Sequence, residues 1–158
     1  MPEASPFALL EALTRAGVDF VVVGGVAVVL QASPRFTKDL DIVYADDPEN
    51  LERLAEVLLA HDTRLRGAED VPFVPDARAL RQTQILTLTT TLGELDLLLR
   101  PDGAPPYADL RAAADRYDID GVEVRVASID DMIAMKRAAG RPQDGMDIAA
   151  LEIARRER

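Results

Sequence analysis

The feature that most constrains the fold is Phe20-Val21-Val22-Val23, an apolar run with no polar alternate, stopped by Gly24-Gly25. A strand with one wet face alternates apolar and polar residues, so an unbroken run requires cover on both faces. This predicts an α/β (α+β) chain with a central mixed β-sheet and helices packed against it. The apolar stretch after the glycines predicts a helix over Val26 to Gln31, with the glycines at the strand-to-helix turn. At 158 residues, the chain is long enough for one core and is read as a single domain over 1–158.

Other elements follow from local pattern. Phe7, Leu9, Leu10 and Leu13 fall at helical spacing between Phe7 and Ala16, and Gly17 supplies a stop. Asp39 to Tyr44 alternates acidic with apolar residues as a strand would, and Asp46-Asp47-Pro48 opens a helix from Glu49 to Ala60. Arg64 to Gly67 reads as a short strand and Val71 to Asp76 as a loop, but Ala60 to Arg81 is otherwise without strong pattern. Gln84–Thr90 and Glu94–Arg100 form a hairpin across Leu92-Gly93. A helix over Asp109 to Arg116, a strand over Val122 to Val126, and helices over Ile129–Ala139 and Gln143–Arg156 complete the chain. Ser128 and Gly140 are the caps of the first of these last two helices.

Composition removes several chemistries. No cysteine is present, which excludes thiolate nucleophiles and Cys-type zinc, and a single histidine, His61, excludes multi-His metal sites. A bound metal must then be a hard, oxygen-seeking cation. The net charge of −10 disfavours a broad nucleic-acid surface, and 4% aromatic content disfavours a base-stacking platform. Phe20 to Leu30 is too short to cross a bilayer, and the N-terminus lacks the pattern of a signal peptide, so the expected location is cytoplasmic with no membrane partner.

The residues that can carry chemistry fall in one order along the chain. Gly24 and Gly25 allow close backbone approach, and the helix start behind them suits phosphate. Asp39 and Asp41, two apart on a strand, point to one face while Leu40 and Ile42 point to the other. Asp96, in Glu94-Leu95-Asp96-Leu97-Leu98-Leu99, adds a third carboxylate if its strand is a neighbour. Singly these are an ordinary turn, a solvated strand face and an edge-strand charge. Together, three carboxylates among apolar residues repel one another unless a cation neutralises them.

In this order of motifs the chain resembles the nucleotidyltransferase superfamily of DNA polymerase β-like minimal domains. The resemblance runs through Val22-Val23-Gly24-Gly25, Arg35-Phe36-Thr37-Lys38-Asp39-Leu40-Asp41-Ile42 and Glu94-Leu95-Asp96. Arg35-x-Thr37-x-Asp39-Leu40-Asp41 is similar to the branch of AbiEii-type toxins and related small nucleotidyltransferases. The tail, Ile129 to Lys136 and then Gly140-Arg141 with Asp144 and Asp147, resembles that family's closing helices.

The resemblance implies Mg²⁺- or Mn²⁺-dependent transfer of a nucleoside monophosphate from a nucleoside triphosphate to an acceptor hydroxyl on tRNA, a protein or a small molecule. It implies Asp39, Asp41 and Asp96 as metal ligands and catalytic acids, with Gly24 and Gly25 cradling the triphosphate. Arg35, Thr37, Lys38, Lys136 and Arg141 are then either phosphate or acceptor contacts or solvated surface, and alternation turns Lys38 away from the metal side. Asp144 and Asp147 are either catalytic or structural partners of Arg141 or Lys136. Gly25 stands where better-studied members carry Ser, so no hydroxyl reaches phosphate there.

A toxin–antitoxin role implies a cognate antitoxin or toxin as partner. The alternatives are an antibiotic-modifying enzyme and a non-catalytic nucleotide-binding or antitoxin-type module of the same fold. A haloacid-dehalogenase-type phosphatase also uses Asp-x-Asp, but requires an apolar strand where Arg35-Phe36-Thr37-Lys38 stands.

Overall fold

The computed structural model describes residues 3–158. Helix α1 (Pro6–Arg15) is capped by the Ser5 side chain, and Gly17 turns the chain at a φ of +77°. Strand β1 (Phe20–Val23) follows, buried throughout as its composition requires. Helix α2 (Gly24–Gln31) begins on the glycines themselves, two residues earlier than the pattern predicts. Its valines disfavour helix intrinsically, but a helix apolar on nearly every side is stabilised by burial instead. Gln31 at its end donates to Asp115 Oδ2 at 2.7 Å and to the Ala127 carbonyl at 2.9 Å.

Strand β2 (Asp39–Tyr44) and helix α3 (Pro48–Ala60) come next, the helix capped by Asp47. The short strand β3 (Arg64–Leu65) and helix α4 (Ala77–Gln82) occupy the stretch without strong pattern. The hairpin is β4 (Ile85–Thr90) with β5 (Gly93–Leu98). Helix α5 (Tyr107–Ala113) ends before Asp115, and the expected helix to Arg116 gives way to strand β6 (Asp115–Ile119). Asp120 and Gly121, at φ +51° and +85°, turn β6 into β7 (Val122–Val126). Two left-handed residues in succession are what a tight hairpin needs, and Asp-Gly supplies them. Helices α6 (Ile129–Ala139) and α7 (Asp144–Arg156) finish the chain, with Ser128 and a left-handed Gly140 capping α6.

The strands form one mixed sheet in the order β3-β4-β5-β2-β1-β7-β6. β2 runs parallel to β5 and β1 parallel to β7, while the remaining pairs are antiparallel. A continuous apolar core includes Leu13, Val21, Leu40, Ile42, Leu54, Leu95 and Leu97, all fully buried. Tyr44 anchors α4 to the sheet by donating to the Leu80 carbonyl at 2.8 Å, and its burial pushes its hydroxyl up to about 12. The central position of β2 is what matters for the site: both of its edges are paired, so its acidic residues cannot escape to an exposed sheet edge.

Candidate active site

The register of the sheet assembles the acids. In the parallel pair of β2 with β5, Asp41 stands opposite Asp96 and Asp39 opposite Glu94. Alternation then sends all four carboxylates to one face, while Leu40, Ile42, Leu95 and Leu97 are fully buried on the other. Glu94 is an acid that sequence reasoning did not assign to the site. On the other flank Val23 pairs with Asp41, which places the start of α2 against that carboxylate.

Gly24 there has a φ of +68°, and a β-carbon on it would overlap Asp41 Oδ2 and stand 2.6 Å from its Cγ. Gly24→Ala is therefore expected to combine left-handed strain with a clash and to cost roughly 2 kcal/mol or more, measurable by urea unfolding. At Gly25 a β-carbon would lie 2.7 Å from both the Arg35 guanidinium and Thr37 Oγ1, so those two side chains close over the helix start.

Crowding shows in the proton affinities. Burial, a proton shared with Asp96 and the charges of Asp96 and Asp39 push Asp41 up to about 7, against the pull of the Gly25 backbone N–H. A proton shared with Glu94, together with burial, raises Asp39, and the Arg66 guanidinium opposes the rise. Glu94 is lowered, by Asp39 first and then by Lys38. The register thus crowds Asp41 against Asp96 and Asp39 against Glu94.

Arg66, just beyond β3, is the residue that sequence reasoning missed. Its guanidinium lies 3.6 Å from Asp39 Oδ2, 3.6 Å from Glu94 Oε2 and 2.9 Å from Asp96 Oδ1. No local pattern signalled it, because Arg66 reaches the acids only through the β3–β4–β5 pairing. The donor set suits Mg²⁺ or Mn²⁺: all donors are hard carboxylate oxygens, and Asp96 Oδ1 is buried without a hydrogen-bond partner. Among the described residues, no three acidic or imidazole side chains stand in a metal-holding arrangement.

The cationic residues are gathered at the same place but are largely engaged. Lys136 is buried, with Nζ 3.5 Å from Asp144 Oδ1 and 3.0 Å from Asp147 Oδ2. Arg141 pairs with Asp144 at 3.0 Å, and that hydrogen bond holds the Asp144 carboxyl below its usual range. Arg35 pairs with Asp147 at 3.2 Å, and Thr37 Oγ1 donates to the Asp39 carbonyl at 3.4 Å. Asp144 and Asp147 are thus structural partners of these cations, tying α7 to α6 and to the loop before β2.

Lys38 does not turn away from the acids, contrary to expectation: its ammonium lies 3.1 Å from Glu94 Oε1. It precedes β2, so strand alternation does not govern its side chain.

These groups border a polar cavity of about 330 Å³ lined by Gly24, Gly25, Thr37, Asp41, Asp96 and Lys136 among others. A second cavity of about 550 Å³ shares Gly24, Asp41, Asp96, Lys136 and Arg141 and adds an apolar wall of Ile85, Leu98, Met132 and Met135. Asp41 and Asp96 sit on the boundary between the two.

Known proteins agree with this architecture. Lincomycin-bound lincosamide antibiotic adenylyltransferase LnuA is similar at a TM-score of 0.60 and 16% identity, over 96% of this chain and 98% of that one. The antibiotic-resistance enzyme ANT(2″)-Ia, in complex with adenylyl-2″-tobramycin, is similar at 0.54 and 17%, over 94% and 84%. An antigenic nucleotidyltransferase-like protein from Paracoccidioides brasiliensis is similar at 0.56 and 20%, over 98% and 78%. No curated protein matches the chain. These structural likenesses establish a shared fold. The family model described as nucleotidyl transferase AbiEii toxin, Type IV TA system, matches residues 8–151, from α1 into α7 and across all the acids above, so the chain belongs to the AbiEii nucleotidyltransferase family.

Proposed function

We propose that this protein transfers a nucleoside monophosphate from a nucleoside triphosphate to an acceptor hydroxyl, with Asp39, Asp41 and Asp96 as the catalytic and metal-binding acids. The observation that carries the reading is the register that sets Asp96 beside Asp41, with the N-terminus of α2 directly adjacent. A hydroxyl oxygen attacks the α-phosphorus, the bond from that phosphorus to the bridging oxygen breaks, and pyrophosphate leaves. Asp96, on the boundary of both cavities, takes the hydroxyl proton.

Gly24, Gly25 and the positive end of α2 receive the triphosphate in the polar cavity, with Arg35, Thr37 and Lys38 at its rim. Lys136 and Arg141 act from the cavity wall, fixed by Asp144 and Asp147. Asp39, Asp41 and Asp96 would hold a divalent cation, Mg²⁺ or Mn²⁺, which when bound would supply charge neutralisation for the transferring phosphate. The larger cavity, polar at the acids and apolar beyond them, has a volume suited to a small-molecule or nucleoside ligand.

The family name supports a toxin–antitoxin system, and hence a cognate antitoxin as partner. We infer a cytoplasmic protein acting as one domain, and no helix of the described residues is long and apolar enough to cross a membrane. A second reading, modification of an antibiotic hydroxyl, is supported by the fold shared with lincosamide and aminoglycoside enzymes.

Incubation with each α-labelled nucleoside triphosphate, Mg²⁺ or Mn²⁺ and a cell extract tests both readings, with lincomycin and tobramycin as parallel acceptors. Label is expected on one acceptor class, with pyrophosphate released in equal amount. Binding of nucleotide without transfer to any acceptor would leave a non-catalytic module of the same fold.

A further inference from the structure

We propose that Arg66 is a built-in counter-cation of the acidic face, occupying the place of a divalent cation and leaving Asp39 and Asp96 when that cation binds. This deepens the reading of the three aspartates as metal ligands and rests on it. Four carboxylates meet here, and the cations paired with them among the described residues are Lys38, on Glu94, and Arg66, on Asp39, Glu94 and Asp96. A guanidinium so placed lowers the like-charge repulsion of the cation-free site.

The arrangement compensates charge without saturating the oxygens. Arg66 Nη2 is 2.9 Å from Asp96 Oδ1, yet that oxygen and Arg66 Nε are both buried without an aligned hydrogen bond. A guanidinium serving purely as a structural clamp would be expected to meet a carboxylate as an aligned fork. The orphaned oxygen is the acceptor that a small, strongly charged cation satisfies better.

Arg66 is also held so that it can move. Its backbone N–H donates to the Thr87 carbonyl at 2.9 Å, so the main chain is docked on β4 independently of the guanidinium, whose Nη2 donates to the Leu88 carbonyl at 2.8 Å. β3 is a two-residue strand at the edge of the sheet, and Gly67 follows at a φ of +81° with open space where a side chain would be. Rotation of the side chain toward solvent gives up the Leu88 contact and leaves the main-chain pairing of Arg66 with β4 in place. The carboxylates stay on β2 and β5, and only the cation changes.

The test is Mn²⁺ binding to the nucleotide-free protein, followed by electron paramagnetic resonance of free Mn²⁺, for wild type, Arg66→Ala, Arg66→Lys and Arg64→Ala. Arg64→Ala removes the same charge from β3, at a side chain that pairs with Asp62 instead. Arg66→Ala is expected to bind Mn²⁺ about tenfold tighter than wild type, because the competing charge within ~4 Å is gone. Arg66→Lys and Arg64→Ala should stay within about threefold of wild type.

The melting temperature without metal should fall in Arg66→Ala, and Mn²⁺ should raise it by more than in wild type. If the alanine variant does not fold, Arg66→Gln keeps the bulk and an amide for Leu88 and carries the same expectation. Equal or weaker Mn²⁺ affinity in Arg66→Ala, with wild type binding, overturns the counter-cation role and leaves the metal site standing. No Mn²⁺ binding by any variant overturns the metal site itself, and this proposal with it.

Discussion

Asp41→Asn and Asp96→Asn are each expected to lower nucleotidyl transfer on the order of 10²–10³-fold or more, while metal-free Asp41→Asn melts no lower than wild type. The two outcomes have one cause. Each substitution removes a unit of negative charge from a face where Asp41 stands opposite Asp96 and near Asp39 and Glu94. On the proposed mechanism, function loses a metal ligand and, at Asp96, the proton acceptor. At Asp41 stability loses only repulsion, whereas at Asp96 it also loses the 2.9 Å pairing with Arg66.

The pH dependence follows from Asp41, which is pushed up to about 7 by burial and by Asp96, against an ordinary value of 3.8 in the unfolded chain. Between about pH 4 and 7 the folded state holds a proton that the unfolded state has released, so metal-free stability falls as pH rises through that window and levels off above it. The full effect is on the order of 4 kcal/mol at most. The lowered carboxyls of Glu94 and Asp144 act in the opposite sense, and they titrate below their ordinary values of 4.5 and 3.8. The difference between wild type and Asp41→Asn isolates the Asp41 contribution. Melting curves of the two that run parallel from pH 4 to 8, together with near-normal transfer by both asparagine variants, would remove these acids from the mechanism.

Lys136→Ala is expected to cost about 3–5 kcal/mol, the second large effect. Lys136 is 6% exposed, and its ammonium compensates Asp144 at 1% and Asp147 at 6% exposure. Removing one partner of such a group leaves buried charge uncompensated, which is far more damaging than the pair's net contribution suggests. Arg141 and Arg35 still reach Asp144 and Asp147, and they soften the loss without cancelling it.

The neighbouring Arg137 is the control. It pairs with Glu152 on the surface, at 59% side-chain exposure, so Arg137→Ala should cost under about 1 kcal/mol. Urea unfolding of the two variants decides the matter: a cost at Lys136 no larger than at Arg137 would mean that the buried network is not what holds α6 to α7. Any loss of nucleotide affinity in Lys136→Ala must be read against this, since a phosphate contact and a disrupted α6–α7 junction weaken binding alike.

Much of the architecture was legible because it is written in local chemistry. Four consecutive apolar residues specified β1 as a covered strand, alternation specified β2, and Ser128 and Gly140 bounded α6 as caps do. Two further signals were present and went unread. Asp76 caps α4 by accepting from the Ala79 N–H, and Asp120-Gly121 marks the β6–β7 hairpin, yet the sequence pattern gives Asp115 and Arg116 to the end of a helix and Tyr117 to Ile119 no element. Asp115 to Ile119 is only half-buried, as an edge strand is, so its apolar alternation is faint.

The sequence by itself determined which residues could share a strand face: Asp39 with Asp41, and Glu94 with Asp96, each opposite buried leucine or isoleucine. Only the tertiary structure decided that the two strands are parallel neighbours in a register that sets Asp41 against Asp96. It also decided that Arg66 arrives from the sheet edge, that Lys38 reaches Glu94, and that Lys136 is enclosed by α7. The physical reason is one of range. Periodicity and capping act over one or two turns of chain, whereas strand order and register depend on contacts between segments far apart in sequence, where the packing of the whole core selects the neighbour.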